Sequence, residues 1–306
     1  MSANRHLTVS RRHFIQTALV GAAAWSLPGR LFAAEAPGKT DVWVIHGTDK
    51  TALMNRALKI IRDNGGFPQG AKNLALKVNA AWARKPETGA NTHPDLVATF
   101  IKGVKDAGIN NVVVPENSCA RPEQSFTRSG IQPAVEEAGG KMINLKAHPD
   151  LFTEVKIPEG KSLQQASVAK PFLESDVVID MPVAKHHGGA QLTIAMKNWM
   201  GSVQDRGFWH RNNLHQCIAD FSTFMKPNWS IVDATRTMMS RGPQGPSRDM
   251  KYPNLLIVSA DQVAADSVAA ALFHENPTKV KYLAIAHEMG IGTVDHKQMN
   301  IHEIEM

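Results

Sequence analysis

Short aliphatic runs recur along this chain without the in-out alternation of a half-buried strand. They fall at residues 41–45, 73–79, 111–115, 141–145, 176–180, 229–233 and 255–259. A strand that is apolar on both faces needs cover on both faces, which is the situation of a parallel sheet. Most of these runs are followed by a stretch with helical spacing. Residues 52–62 stop at Gly65-Gly66, residues 95–107 at Gly108, and residues 131–138 at Gly139-Gly140. Residues 214–224, 262–273 and 278–290 continue the pattern. Thr92 is the expected cap of the second helix, with Pro94 in its first turn. The expected fold class is therefore α/β, a single mostly parallel sheet with helices on both faces. A small inserted subdomain is allowed for around 150–170 or 200–228.

The first forty residues obey a different logic. Arg11-Arg12 precede a modest apolar run over 17–27, and Ala34-Glu35-Ala36 supplies a small-x-small cleavage pattern. Paired arginines, a short apolar core and such a site form the twin-arginine export signal. The run is well short of the roughly 20 residues that a spanning helix requires. The expected organisation is a signal peptide over 1–36, cleaved near Ala34 or Ala36, and an α/β domain over 37–306. The expected location is periplasmic or otherwise exported, with the twin-arginine translocase as a partner during export.

Charge and composition exclude some classes. The formal net charge is +6, and residues 1–36 hold four arginines and one glutamate, which leaves +3 on the remainder. No Lys/Arg-rich run is present and aromatics make up 6%, so nucleic-acid binding is not expected. No second apolar run is long enough to span a membrane. Cys119 and Cys217 are the two cysteines. They cannot supply the four thiolates of an ordinary iron–sulfur cluster within this chain, and separate thiols are the preferred reading over a bridge. The thirteen methionines are scattered, as core filling would scatter them. No phosphate-binding loop, dinucleotide fingerprint or nucleophile elbow occurs.

Ligands of open parallel sheets collect beyond the carboxyl ends of the strands. The polar residues there are Lys77 and Asn79, Glu116 and Asn117, Asp180 with Lys185, His186 and His187, Asp233 with Arg236, and Asp261. The densest stretch is VAKHHGGAQLTIAMKNW at 183–199. Gly188-Gly189 lets the backbone turn closely, and a helix is expected to start near Thr193. A helix start beside Lys185 and Lys197 suits a carboxylate or phosphate; two lysines capping elements in solvent is the competing reading. His186, His187, His210 and His215 are candidate metal ligands. Adjacent His186 and His187 point opposite ways on an extended chain, and His210 and His215 are poorly spaced for one helix face. A single acid–base or hydrogen-bonding histidine is the alternative.

Several motifs in order resemble the domain of unknown function 362 family. They are Lys77-Val-Asn79, Thr92-His93-Pro94, Asn111-Val-Val-Val114 after Ala107-Gly108, and the run from Asp176 to His186. Further along come Thr193 with Lys197-Asn198 and Gly201, Ile231-Val-Asp233-Ala234, Gly242-Pro243 with Gly245, and Asp261 with Ala264 and Asp266. The resemblance spans roughly 41–302. It implies an α/β domain, no established activity, and a link to iron–sulfur or redox contexts in relatives that carry ferredoxin-like cysteines. This chain lacks those cysteines and has Val78 where the family usually has proline.

The resulting expectation is an exported protein, a periplasmic enzyme or redox-associated protein that acts on or binds a small anionic ligand, with a bound metal ion allowed for. Lys77, His93, Lys185 and His186 are its candidate catalytic residues, and Asn79, Lys197, Asn198 and Asp233 its candidate ligand-binding residues. A non-catalytic metal- or cofactor-binding protein and an accessory subunit of an exported redox complex are the alternatives.

Overall fold

The computed structural model of the chain describes residues 39–273 and 275–306. The export signal expected over residues 1–36 lies outside the described residues. The chain begins with β1 (Thr40–His46), α1 (Lys50–Asp63), β2 (Asn73–Val78), α2 (Pro94–Asp106) and β3 (Asn111–Glu116). The short helices α3 (Pro122–Arg128) and α4 (Ile131–Glu137) lead to β4 (Lys141–Asn144). A hairpin of β5 (Phe152–Lys156) and β6 (Gln165–Ala169) makes a separate two-stranded antiparallel sheet, within the first region allowed for an insertion. There follow α5 (Lys170–Glu174), β7 (Val177–Met181), β8 (Val183–His187), β9 (Gln191–Thr193), α6 (Ala195–Asn198), α7 (Arg206–Arg211) and α8 (Leu214–Phe224). The last elements are β10 (Trp229–Met238), β11 (Met250–Lys251), β12 (Leu255–Ser259), α9 (Gln262–Ala270), α10 (Lys281–Glu288) and β13 (Met299–Glu305).

The main sheet runs in the order β13-β1-β12-β10-β7-β2-β3-β4. Neighbours along it are parallel except β12, which is antiparallel to both β1 and β10. The unbroken aliphatic runs have a direct cause. Val42 and Val44 enter one core while Trp43 and Ile45 enter the other; Ala75 and Val178 oppose Leu74, Leu76, Val177 and Ile179 in the same way. One core is closed by α1, α2 and α4, the other by α8, α9 and α10. Both faces of the sheet are covered, so alternation never appears.

Connectivity also places a crevice. From β2 the chain moves outward to β3 and β4, then returns to lay β7 on the other side of β2. This reversal is a topological switch point, where the loops beyond two adjacent strands diverge. Lys77 and Asp180 are register partners there.

Two local expectations are corrected. The cap of α2 is His93, whose Nδ1 accepts the Asp95 amide at 3.2 Å. Thr92 instead accepts the Asn79 amide and donates to the Met181 carbonyl, which ties the loop to the sheet. Thr193 is not at a helix start. The Gly188-Gly189 turn folds the chain back as a hairpin, pairs Thr193 with Lys185 in β9, and delays the helix to Ala195.

Candidate functional site

The switch point opens into a cavity of about 300 Å3 lined by residues from β2, β3, β8, β9, α6 and α7. Lys77, Asn79, Lys185, Lys197 and Asn198 all line it, brought together from three separate parts of the chain. All but Lys197 are held by one hydrogen-bonded chain. Lys77 Nζ donates to Glu116 Oε2 at 2.9 Å and to Asn198 Oδ1 at 3.4 Å. Asn79 Nδ2 also donates to Asn198 Oδ1, at 3.0 Å. Lys185 Nζ donates to Asn79 Oδ1 at 3.0 Å and to the Ala90 carbonyl. Asn198 Nδ2 reaches Asp180 Oδ1 at 2.7 Å, which fixes the amide's orientation.

Charge in this cavity is unbalanced. Glu116 is the only carboxylate among the described lining residues, and it pairs with Lys77, both side chains being buried. Lys197 is 8% exposed, and among the described residues its ammonium has no hydrogen-bond or ion-pair partner. Arg206 spends its guanidinium on the carbonyls of Asn117 and Ser118, each at 2.6 Å. Burial, then the nearby Lys197 charge, pulls Lys185 down to about 7. Burial pulls Lys197 down to about 8, against the opposing pull of Cys119 and with the help of Arg206. Desolvation disfavours the charged amine, so a counter-charge is what these positions lack. Asp180 moves the other way: burial raises it well above the carboxylate range.

The histidines divide by strand parity. His187 lines the cavity, and its Nδ1 accepts the amides of Gly189 and Ala190, both at 3.1 Å. Burial and the two lysines lower it to about 3, so the ring is neutral. With Nδ1 accepting, the proton sits on Nε2, which becomes a donor. His210 from α7 stacks on it at 6.4 Å between ring centroids. His186 points away; its Nδ1 accepts the Gly242 amide at 3.1 Å. His215 does not line the cavity either. The four candidate metal ligands therefore do not assemble, and among the described residues no three His, Cys, Asp or Glu side chains come together as a metal set.

His93 and Asp233 form a neighbouring structural knot outside the cavity. Asp233 Oδ2 accepts the His93 amide at 2.9 Å and pairs with Arg236 Nη1 at 2.5 Å. Burial alone would raise Asp233, but Arg236 and the bonds from Thr235 hold it below its ordinary value. Burial first, then Arg236, lowers His93 to about 4. The side chains of this knot are satisfied by each other and by loop backbone.

Sequence reasoning did not select Cys119, Gly201 or Arg206. Cys119 lies three residues past the end of β3, so the strand-end rule that flags Glu116 and Asn117 reaches it by a small extension. Gly201 permits close approach: a Cβ there would run into Glu116 Oε1 and come within 2.8 Å of Lys77 Nζ. Arg206 follows no strand, and its sequence context carries no signal. Cys119 and Cys217 are both free thiols, exposed and buried respectively.

Residues 74–271 match the family described as Domain of unknown function (DUF362). The chain belongs to this family. A similar curated protein is the thylakoid-associated protein sll1697 of Synechocystis sp. (strain ATCC 27184 / PCC 6803 / Kazusa), 23% identical over 254 residues, or 79% of this chain and 75% of that protein. A similar solved structure is the lactate racemase apoprotein from Thermoanaerobacterium thermosaccharolyticum. It has a TM-score of 0.47 and 12% identity, and the match covers 81% of this chain and 60% of that one. The matched region contains every residue that lines the switch-point cavity, from Lys77 in β2 to Pro243. Among the described residues no helix is long and apolar enough to cross a membrane.

Proposed function

We propose that the switch-point cavity binds a small anionic ligand, a carboxylate or phosphate, between Lys197, Lys185 and the Nε2–H of His187. One observation carries this reading: among the described residues Lys197 is a buried ammonium without a hydrogen-bond or ion-pair partner, in a cavity whose one described carboxylate is already spent on Lys77. An unpaired buried cation is costly, and an incoming anion removes that cost. The volume suits a ligand of a few heavy atoms to modest size. An amine near 7 also exchanges a proton readily at neutral pH, so Lys185 is the group best placed to serve as an acid or base toward a bound ligand.

The test is a calorimetric titration of the wild-type protein with oxalate and with inorganic phosphate. Lys197→Met is expected to weaken binding by about 1.4 kcal/mol or more, roughly tenfold. Equal affinity of wild type and variant would overturn the assignment. Export is part of the same proposal and rests on Arg11-Arg12 ahead of the apolar run. Replacing both arginines by lysine is expected to strand the precursor in the cytoplasm; undiminished export of that variant, read by cell fractionation, would count against it.

A further inference from the structure

Cys119 stands at the mouth of the same cavity, exposed where the lysines are buried. Its Sγ accepts a hydrogen bond from Arg206 Nη1 at 3.3 Å. That guanidinium is held in place by the carbonyls of Asn117 and Ser118, the two residues that precede the cysteine. Lys146, Lys185 and Lys197 all interact electrostatically with the same sulfur. One guanidinium is thus bonded to the sulfur, and three ammonium groups lie within electrostatic reach of it. Reactive cysteines sit in electropositive, exposed surroundings of this kind. The second observation concerns the anion seat: the Lys197 ammonium lines the same cavity and, among the described residues, has no hydrogen-bond or ion-pair partner.

The two features select a ligand with two ends. Its anionic group sits at Lys197, and its reactive carbon comes to the rim, at the sulfur. We propose that Cys119 is a nucleophile of this cavity, taking short carboxylates that carry an adjacent electrophilic carbon, with 2-oxo acids as the class. The step is an addition. A sulfur–carbon bond forms, the carbonyl π bond breaks, its electron pair passes to the oxygen, and the thiol proton ends on that oxygen. No further reactant is needed, and the product is a thiohemiketal. The inference rests on the anion-site reading and adds a covalent partner to it.

Iodoacetate and iodoacetamide test this on the full chain. Both alkylate a thiol: a sulfur–carbon bond forms, the carbon–iodine bond breaks, iodide leaves with the electron pair, and the thiol proton goes to solvent. Only iodoacetate carries the anion. The rate ratio of iodoacetate to iodoacetamide at Cys119, read by peptide mass, is expected to be about tenfold or more higher in the folded protein than in the urea-unfolded chain. Lys197→Met is expected to return it toward the unfolded value. Cys217, buried in α8, reports that the protein stays folded by remaining unmodified. Pyruvate is expected to slow iodoacetate more than equimolar propionate does. An equal ratio in folded and unfolded protein, with Cys217 protected, overturns the directed nucleophile, and equal protection by pyruvate and propionate overturns the 2-oxo acid class. Oxalate binding measured alongside separates the two readings: if oxalate binds and the ratio is flat, the covalent inference alone falls, whereas failure of oxalate to bind removes the anion site beneath it.

Discussion

Lys77 and Lys197 show how one side-chain type takes two roles in one cavity. Lys77 is paired with Glu116 and wrapped by Asn198, so its charge is structural. Lys197 has no such partner among the described residues, which is why the proposed anion is seated there. Gly201 protects the first arrangement, because any side chain there meets both Glu116 and Lys77. Gly201→Ala is expected to break the buried pair and destabilise the fold by about 3 kcal/mol, measured by urea unfolding; a loss under about 0.5 kcal/mol, the range of surface changes, would contradict the packing. Lys77, Asn79 and Lys185 were legible because each stands at the end of an aliphatic run, and Lys197 and Asn198 because they follow the glycine turn on an expected helix. The histidine was harder. Alternation shows that only one of His186 and His187 faces inward, but which one depends on the Lys185–Thr193 register set by the glycine turn. His93 and Asp233 were named by proximity to strand ends, yet Asp233 accepts the His93 amide and pairs with Arg236, and the His93 ring caps α2, instead of facing the cavity.

At the scale of elements, α6 is too short to hold itself. Its four residues carry both Lys197 and Asn198, and its first amides are bound from outside: Asp266 accepts Ala195 N at 2.7 Å and Met196 N at 3.2 Å. A buried amide without an acceptor costs free energy, so this carboxylate, reaching from α9, positions the cavity floor. Asp266→Ala is expected to lower stability by about 2 kcal/mol and to weaken oxalate binding, with denaturation and calorimetry as the two readouts. Unchanged stability and affinity would show that α6 stands without it. Most strands and long helices follow from their apolar runs and glycine stops. The β8–β9 hairpin does not, since its three-residue return strand is polar at both ends and its pairing is decided by the turn. Nor does the β5–β6 hairpin, which stands apart from the sheet and has no long aliphatic run of its own.

The whole molecule explains why the charge imbalance is tolerated. Two apolar cores, one on each face of the sheet, fix the strand ends, and the reversal between β2 and β7 leaves an opening lined by α6 and α7. Stability accumulated in those cores maintains a pocket that is unfavourable while empty, a common cost of a binding site. The pH dependence of oxalate affinity tests this most directly. Oxalate stays fully ionised through the neutral range, so the protein's own groups set the profile. Binding favours protonated lysines, and Lys185 and Lys197 lose their protons near 7 and 8 in the free protein. The affinity is expected to hold below neutrality, to start falling near pH 7, and to drop roughly tenfold or more by about pH 9. A flat profile across that range would contradict an anion seat built on these two lysines.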